Sequence, residues 1–281
     1  MKNLLRTLIY DGQVSLTVAD TTEIVKESIF RHKLKKTSAL VLGKALSAMT
    51  FMSSCLKQDA GEISLSYQGD GVGGGIGISG NRKLQLRGYI ENVNVTEATD
   101  ERGCLGENGA VTVIRDDGYN IPFVGTCALP QYGGVDAAFE EYFRISEQLP
   151  TRIQTAVEWN EKGELAFAGV VAVQPLPFAD KTALERVQTL SLSALLSEIK
   201  LHGVESAVQS FETDLQATES REAAYRCNCS KQYLLRVLVT LGEAEMRRII
   251  QEDGNIKVHC HYCNTDYIFT ETDADTLFPQ K

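Results

Sequence analysis

The sequence predicts an α+β protein in three parts: an N-terminal mixed sheet-and-helix core domain over residues 1–178, a helical linker over 179–225 and a small C-terminal domain over 226–281. Three observations predict this. Five of the six prolines fall within the first 177 residues and the next is Pro279, so Gln174-Pro175-Leu176-Pro177 marks a boundary. Beyond it, Asp180 to Tyr225 keeps helical apolar spacing and carries eight acidic against four basic residues. Last, two close cysteine pairs, Cys227-Asn228-Cys229 and Cys260-His261-Tyr262-Cys263, stand 30 residues apart near the C-terminus.

Each element follows from local pattern. Val14, Leu16 and Val18 alternate as a strand, and Asp20-Thr21-Thr22-Glu23 resembles a capping box opening a helix to about His32. A second helix, Thr37 to about Lys57, is apolar nearly all round and belongs in a core. Strands follow at Ile63-Leu65-Tyr67, Ile76-Ile78, Leu84-Leu86, Val111-Val113 and Ile121-Phe123-Val124, with Asp117-Gly118 as a turn. Val135 to Gln148 reads as a helix stopped before Pro150, and Ile153–Trp159 with Leu165–Val173 as a hairpin. In the linker Leu184, Val187, Leu190, Leu195, Leu196 and Ile199 share a helical face interrupted by Ser, Gln and Thr, which predicts marginal stability and dependence on docking. In the last part Ser230 caps a helix carrying Leu234, Leu235 and Leu238, Gly242 ends it, and Glu243–Gln251 forms another. Ile256-Val258 and Tyr267-Phe269 make a hairpin around the second cysteine pair.

Two short turns that each bring two sulfurs together are what a tetrahedral Zn²⁺ requires, so Cys227, Cys229, Cys260 and Cys263 are the candidate zinc ligands. The folded piece from Arg226 to about Thr272 has fewer than fifty residues and cannot build much core, so zinc is expected to hold this domain together. His259 and His261 flank Cys260 and are assigned solvent or outer-shell roles, because four thiolates already complete the shell. The other three cysteines, Cys55, Cys104 and Cys127, are scattered in apolar surroundings and read as inert core thiols of a reducing compartment.

Other chemistries are weighed and set aside. A net charge of −9 with pI near 5.1 gives no basic footprint for phosphates, so nucleic acid is not expected as a partner. The N-terminus lacks the apolar run of a signal peptide, and the apolar stretch Ser38–Leu56 contains Lys44; a cytoplasmic protein with no membrane partner is expected. Gly69-Asp70-Gly71-Val72-Gly73-Gly74 matches a dinucleotide fingerprint, but Ile76 and Ile78 continue as a strand where a helix would have to open. Glu140, Glu141 and Glu147 read as a solvated helix face, and no catalytic triad has local support, so no enzyme activity is expected.

Taken together, Tyr225-Arg226-Cys227-Asn228-Cys229-Ser230, His259-Cys260-His261-Tyr262-Cys263-Asn264 and Glu252-Asp253-Gly254 resemble the zinc-centre signature of the heat shock protein 33 family of redox-regulated holdase chaperones. Gln68-Gly69-Asp70-Gly71, Arg87-Gly88-Tyr89 and Tyr142 to Arg152 are similar to its core segments. The resemblance implies that the four cysteines hold zinc in a reduced, inactive form. It implies that oxidation joins Cys227 to Cys229 and Cys260 to Cys263 with zinc release. It also implies binding of unfolded client proteins without ATP, and a homodimer when oxidised. Loss of the metal would remove the small domain's main stabilisation and undock the linker, exposing apolar surface to clients. Two alternatives stay open: a zinc-ribbon nucleic-acid-binding factor, against which residues 226–281 carry seven basic and eight acidic residues, and a thiol-disulfide oxidoreductase using Cys260 and Cys263.

Overall fold

The computed structural model describes residues 2–130, 133–211 and 218–278. They fall into two compact units, Met1–Arg226 and Cys227–Lys281.

The first unit contains two sheets. One has the order β10-β1-β2-β9-β8, from β1 (Leu4–Ile9), β2 (Val14–Asp20), β8 (Arg152–Trp159), β9 (Leu165–Pro175) and the short β10 (Glu219–Arg221). The other has the order β11-β5-β4-β3-β6-β7, from β3 (Glu62–Gly69), β4 (Ile76–Asn81), β5 (Gln85–Ile90), β6 (Gly109–Asp116), β7 (Phe123–Ala128) and β11 (Ala224–Tyr225). Every pairing is antiparallel except β11 on β5. Helix α1 (Thr22–His32) leads into α2 (Lys36–Ser54), which packs on strands of both sheets. All of α2 is buried except Lys36, Leu40 and Lys44, as its apolar sequence requires. Lys44 is tolerated there because its ammonium meets Glu101 at 2.8 Å and Asp136 at 3.4 Å.

The first sheet is buried on both faces, and period-two alternation sorts its side chains between them. Leu4, Ala19, Ile153, Val170 and Ala172 join the core around α2. Leu5, Val14, Leu16, Val18, Val171 and Val173 point the other way, onto α5 (Lys181–Thr189) and α6 (Leu192–His202). These two helices close that face with Val187, Leu192, Leu195, Leu196 and Ile199. Asp180 and Ser191 cap them by accepting the N–H groups of Ala183 and Ala194.

Several expectations need correction. Asp20 ends β2 rather than capping α1; Thr21 is the capping residue and makes no side-chain cap, while the Asp20 carboxylate accepts the Thr22 N–H. The strand expected from Ile121 starts at Phe123, after Pro122, and Ile121 is exposed. The helix from Val135 is α-helical only to Tyr142, as α4, and finishes as a π-turn over Phe143–Glu147, closed by Gln148 in the left-handed region at φ 53°. The linker is helical only to His202: a 3₁₀ turn and the strands β10 and β11 follow, and residues 212–217 lie outside the described set. Its helices are also better packed than expected, since Val187, Leu195, Leu196 and Ile199 are all buried and Leu184 alone of the six apolar positions is exposed. Glu140 and Glu147 are structural: Glu140 accepts the Ile153 N–H, and Glu147 accepts the Tyr142 hydroxyl and pairs with Arg115. Only Glu141, paired with the exposed Arg144, sits on an open surface. The elements β1 and α3 (Glu101–Leu105) were not anticipated.

The second unit comprises α7 (Lys231–Leu238), α8 (Glu243–Asp253), the hairpin β12 (Ile256–Cys260) and β13 (Thr265–Phe269), and α9 (Glu271–Leu277). Ser230 caps α7 by accepting the Tyr233 N–H, and Gly242 and Gly254 take positive φ between elements. Its buried apolar core is Leu238, Met246, Ile250, Phe269 and Ala274. Five such side chains are few for an independent domain.

Candidate metal centre

Cys227 and Cys229 lie in the segment that ends at the Ser230 cap of α7, so the start of that helix fixes where the second cysteine leaves the chain. Cys260 ends β12 and Cys263 occupies the turn before β13; Asn264, at φ 53°, turns the chain between them and the next strand. Cys263 is buried and the other three are half-buried.

The four Sγ atoms all lie within 4.8 Å of one another. Two contacts bridge the pairs: Cys227 to Cys260 at 3.7 Å and Cys229 to Cys263 at 3.1 Å. The edge of a regular ZnS₄ tetrahedron is ~3.8 Å for Zn–S of about 2.3 Å. The cluster can therefore hold a metal ion with little movement of the sulfurs. Desolvation pushes the thiols of Cys227 and Cys260 up, and that of Cys229 up to about 11. Desolvation acts on Cys263 too, but hydrogen bonds from Thr265 and the neighbouring thiols outweigh it and pull that thiol below its usual value. Four crowded sulfurs thus resist full ionisation without a cation among them.

Among the described residues, these four are the one such cluster of His, Cys, Asp or Glu. His259 Nδ1–H donates to the Asp266 carboxylate at 2.7 Å, its ring packs edge-on with His261, and neither histidine belongs to the sulfur cluster. Cys55, Cys104 and Cys127 are dispersed through the first unit, and burial pushes each of their thiols up, Cys104 to about 11. The Gly69–Gly74 segment opens no helix; it passes into β4, as its alternation predicted. One site residue was missed: the Tyr267 hydroxyl lies 3.1 Å from Cys229 Sγ, a contact that raises the phenol's pKa. Its only sequence signal is the β13 alternation, which sets Tyr267 on the same face as the buried Phe269. No described helix is long and apolar enough to cross a membrane.

The family model described as Hsp33 protein matches residues 2–270. A 33 kDa chaperonin of Halalkalibacterium halodurans is 30% identical over 288 residues, covering 99% of this chain and 98% of the relative. One of Clostridium novyi is 32% identical over 286 residues, with 98% and 97% covered. The crystal structure of a Thermotoga maritima 33 kDa chaperonin, a heat shock protein 33 homologue, superposes with a TM-score of 0.82 at 25% identity, covering 98% of this chain and 97% of that one. With the fold, the cysteine cluster and whole-length similarity in agreement, the chain belongs to the Hsp33 family.

Proposed function

We propose that this protein is an ATP-independent holdase chaperone whose activity is set by the redox state of its four clustered cysteines. The observation that carries the reading is the set of four sulfurs within 4.8 Å of one another, in a unit whose apolar core, among the described residues, is a cluster of five buried side chains. The donor set is all thiolate and tetrahedral in spacing, which suits zinc above the harder divalent ions. Bound zinc would supply cross-linking of the two cysteine segments, worth ~10–16 kcal/mol in comparable peptides.

In the reduced state the chain's own parts keep apolar surface covered. Docked α5 and α6 hide both their own apolar face and that of Val14, Leu16, Val18, Val171 and Val173. Oxidation of each pair of metal-bound thiolates to a disulfide removes two electrons, which together with two protons from solvent reduce one peroxide to two waters. A disulfide sulfur is no longer a thiolate ligand, so the second unit loses its cross-link. The last strand before Cys227 is short: β11 pairs with β5 through two residues, and Arg226 adds one further bond, to the Leu86 carbonyl. Unfolding after Cys227 pulls on this strand and, through the chain that precedes it, on the linker, and the uncovered faces bind unfolding clients. Oxidised dimer formation belongs to the same reading. An oxidoreductase gains no support from the Cys260/Cys263 turn, which joins two strands and opens no helix.

The test takes zinc content, free thiols and suppression of client aggregation on one preparation, before and after peroxide at raised temperature. Loss of about one zinc and all four clustered thiols with a gain of activity is expected. Equal suppression in both states would overturn the redox switch.

A further inference from the structure

Tyr267 is built to reach one sulfur. Its ring packs at the edge of the second unit's core, opposite Val258 in the hairpin register and two residues before the buried Phe269. This leaves the hydroxyl 3.1 Å from Cys229 Sγ. A metal-bound sulfur carries no proton, so in the loaded centre the phenol must be the donor. Hydrogen bonds to a thiolate withdraw charge from it, and outer partners of this kind orient metal ligands.

We propose that Tyr267 is a positioning residue of the metal centre: its O–H donates to Cys229, fixes the direction of that sulfur and makes it a better-held, less nucleophilic ligand. This rests on the zinc reading above. The side chain does not contact the metal itself; it acts through Cys229, and through a register that the β12–β13 hairpin enforces. The sensitivity of the switch is then partly set by a residue that is neither ligand nor cysteine.

The test uses the full chain loaded with Co²⁺, whose sulfur-to-metal charge-transfer band reports the electron density on the thiolates, and Zn²⁺ affinity by chelator competition. Tyr267→Phe keeps the ring and removes the donor. It should move the band to lower energy and weaken zinc binding about 10–100-fold. Replacement of Tyr267 by 3-fluorotyrosine, a stronger donor of nearly the same shape, should move the band to higher energy; a residue acting only through packing would not reverse the sign. If Tyr267→Phe fails to fold, the fluorinated chain decides alone. An unmoved band in both variants overturns the proposal while leaving the zinc reading standing, even where affinity falls. A wild-type chain that gives no tetrahedral thiolate spectrum overturns both.

Discussion

At the scale of single residues, Asp70 shows what the glycine-rich segment does. Its carboxylate accepts the N–H groups of Glu107 and Asn108 and the Asn108 side-chain amide, tying two loops together. A Cβ on Gly71 would collide with the Gly106 backbone and the Cys104 carbonyl, so glycine is needed for close approach of backbone to backbone, without any phosphate to cradle. Those hydrogen bonds hold the Asp70 carboxyl down at about 2, led by the Asn108 side chain. A depressed carboxylate pKa contributes stability above the unfolded value near 3.8 that is lost as pH falls toward the folded value of about 2. Asp70→Asn should therefore lower the urea midpoint at neutral pH, and its deficit relative to wild type should shrink as pH falls from about 4 to about 2. A constant deficit across that range would assign the effect to loop geometry instead. Gly71→Ala should cost about 1–3 kcal/mol at any pH, through overpacking. The same scale shows why the sequence reveals some site residues and hides others. The four cysteines are legible because each pair is local and its chemistry lies in the spacing. Tyr267 stands 38 residues from Cys229, and only the hairpin register brings them together.

At the scale of elements, the docking of the linker turns on one guanidinium. Arg152, on β8, donates to the carbonyls of Val187, Gln188 and Leu190, at the end of α5 where the helix leaves its last carbonyls unpaired. It thereby fixes the bend between α5 and α6, supported by the Lys200–Glu158 pair at 2.6 Å and by Arg186 over the Tyr10 ring at 3.8 Å. Arg152→Ala should destabilise the docked linker by about 1–2 kcal/mol, the scale of losing a charged donor to partly exposed carbonyls. Hydrogen exchange over residues 181–202 should accelerate, and part of the holdase activity should appear in the reduced protein. Unchanged exchange there would show that apolar packing alone holds the helices down. The linker's helices were legible because an amphipathic face writes its period into twenty residues. Its strands were not: β10 has three residues and β11 two, too short for any period, and each exists because an edge of a longer sheet supplies its hydrogen bonds. Alternation at Val14, Leu16 and Val18 gave the strand correctly but could not tell which of the two covered faces those side chains meet.

At the scale of the whole molecule, the two units draw their stability from different sources. The first holds extensive apolar clusters around α2 and beneath α5 and α6. The second has, among its described residues, a core cluster of five buried apolar side chains and a metal-ready cluster of sulfurs. Removing zinc by chelation under reducing conditions should therefore abolish or strongly lower one calorimetric transition, that of residues 227–281, and leave a second, that of the first unit, diminished by whatever part of the linker undocks. The measurement is scanning calorimetry with and without chelator, with circular dichroism to assign the lost helices. Adding zinc back in reductant should restore both transitions, whereas zinc added after peroxide should not, since the ligands are then disulfides. Aggregation assays on the same samples separate two roles of oxidation. Activity on chelation alone would mean that unfolding the second unit is sufficient, and that the disulfides serve to keep it unfolded. Activity only after oxidation would place the trigger in the disulfides themselves. The covalent junction at Arg226–Cys227 favours the first outcome, because any unfolding that begins at Cys227 reaches β11 directly, and β11 resists it with a two-residue ladder, the Arg226 N–H on the Leu86 carbonyl and the one buried side chain of Tyr225, whose hydroxyl donates to the Gly88 carbonyl.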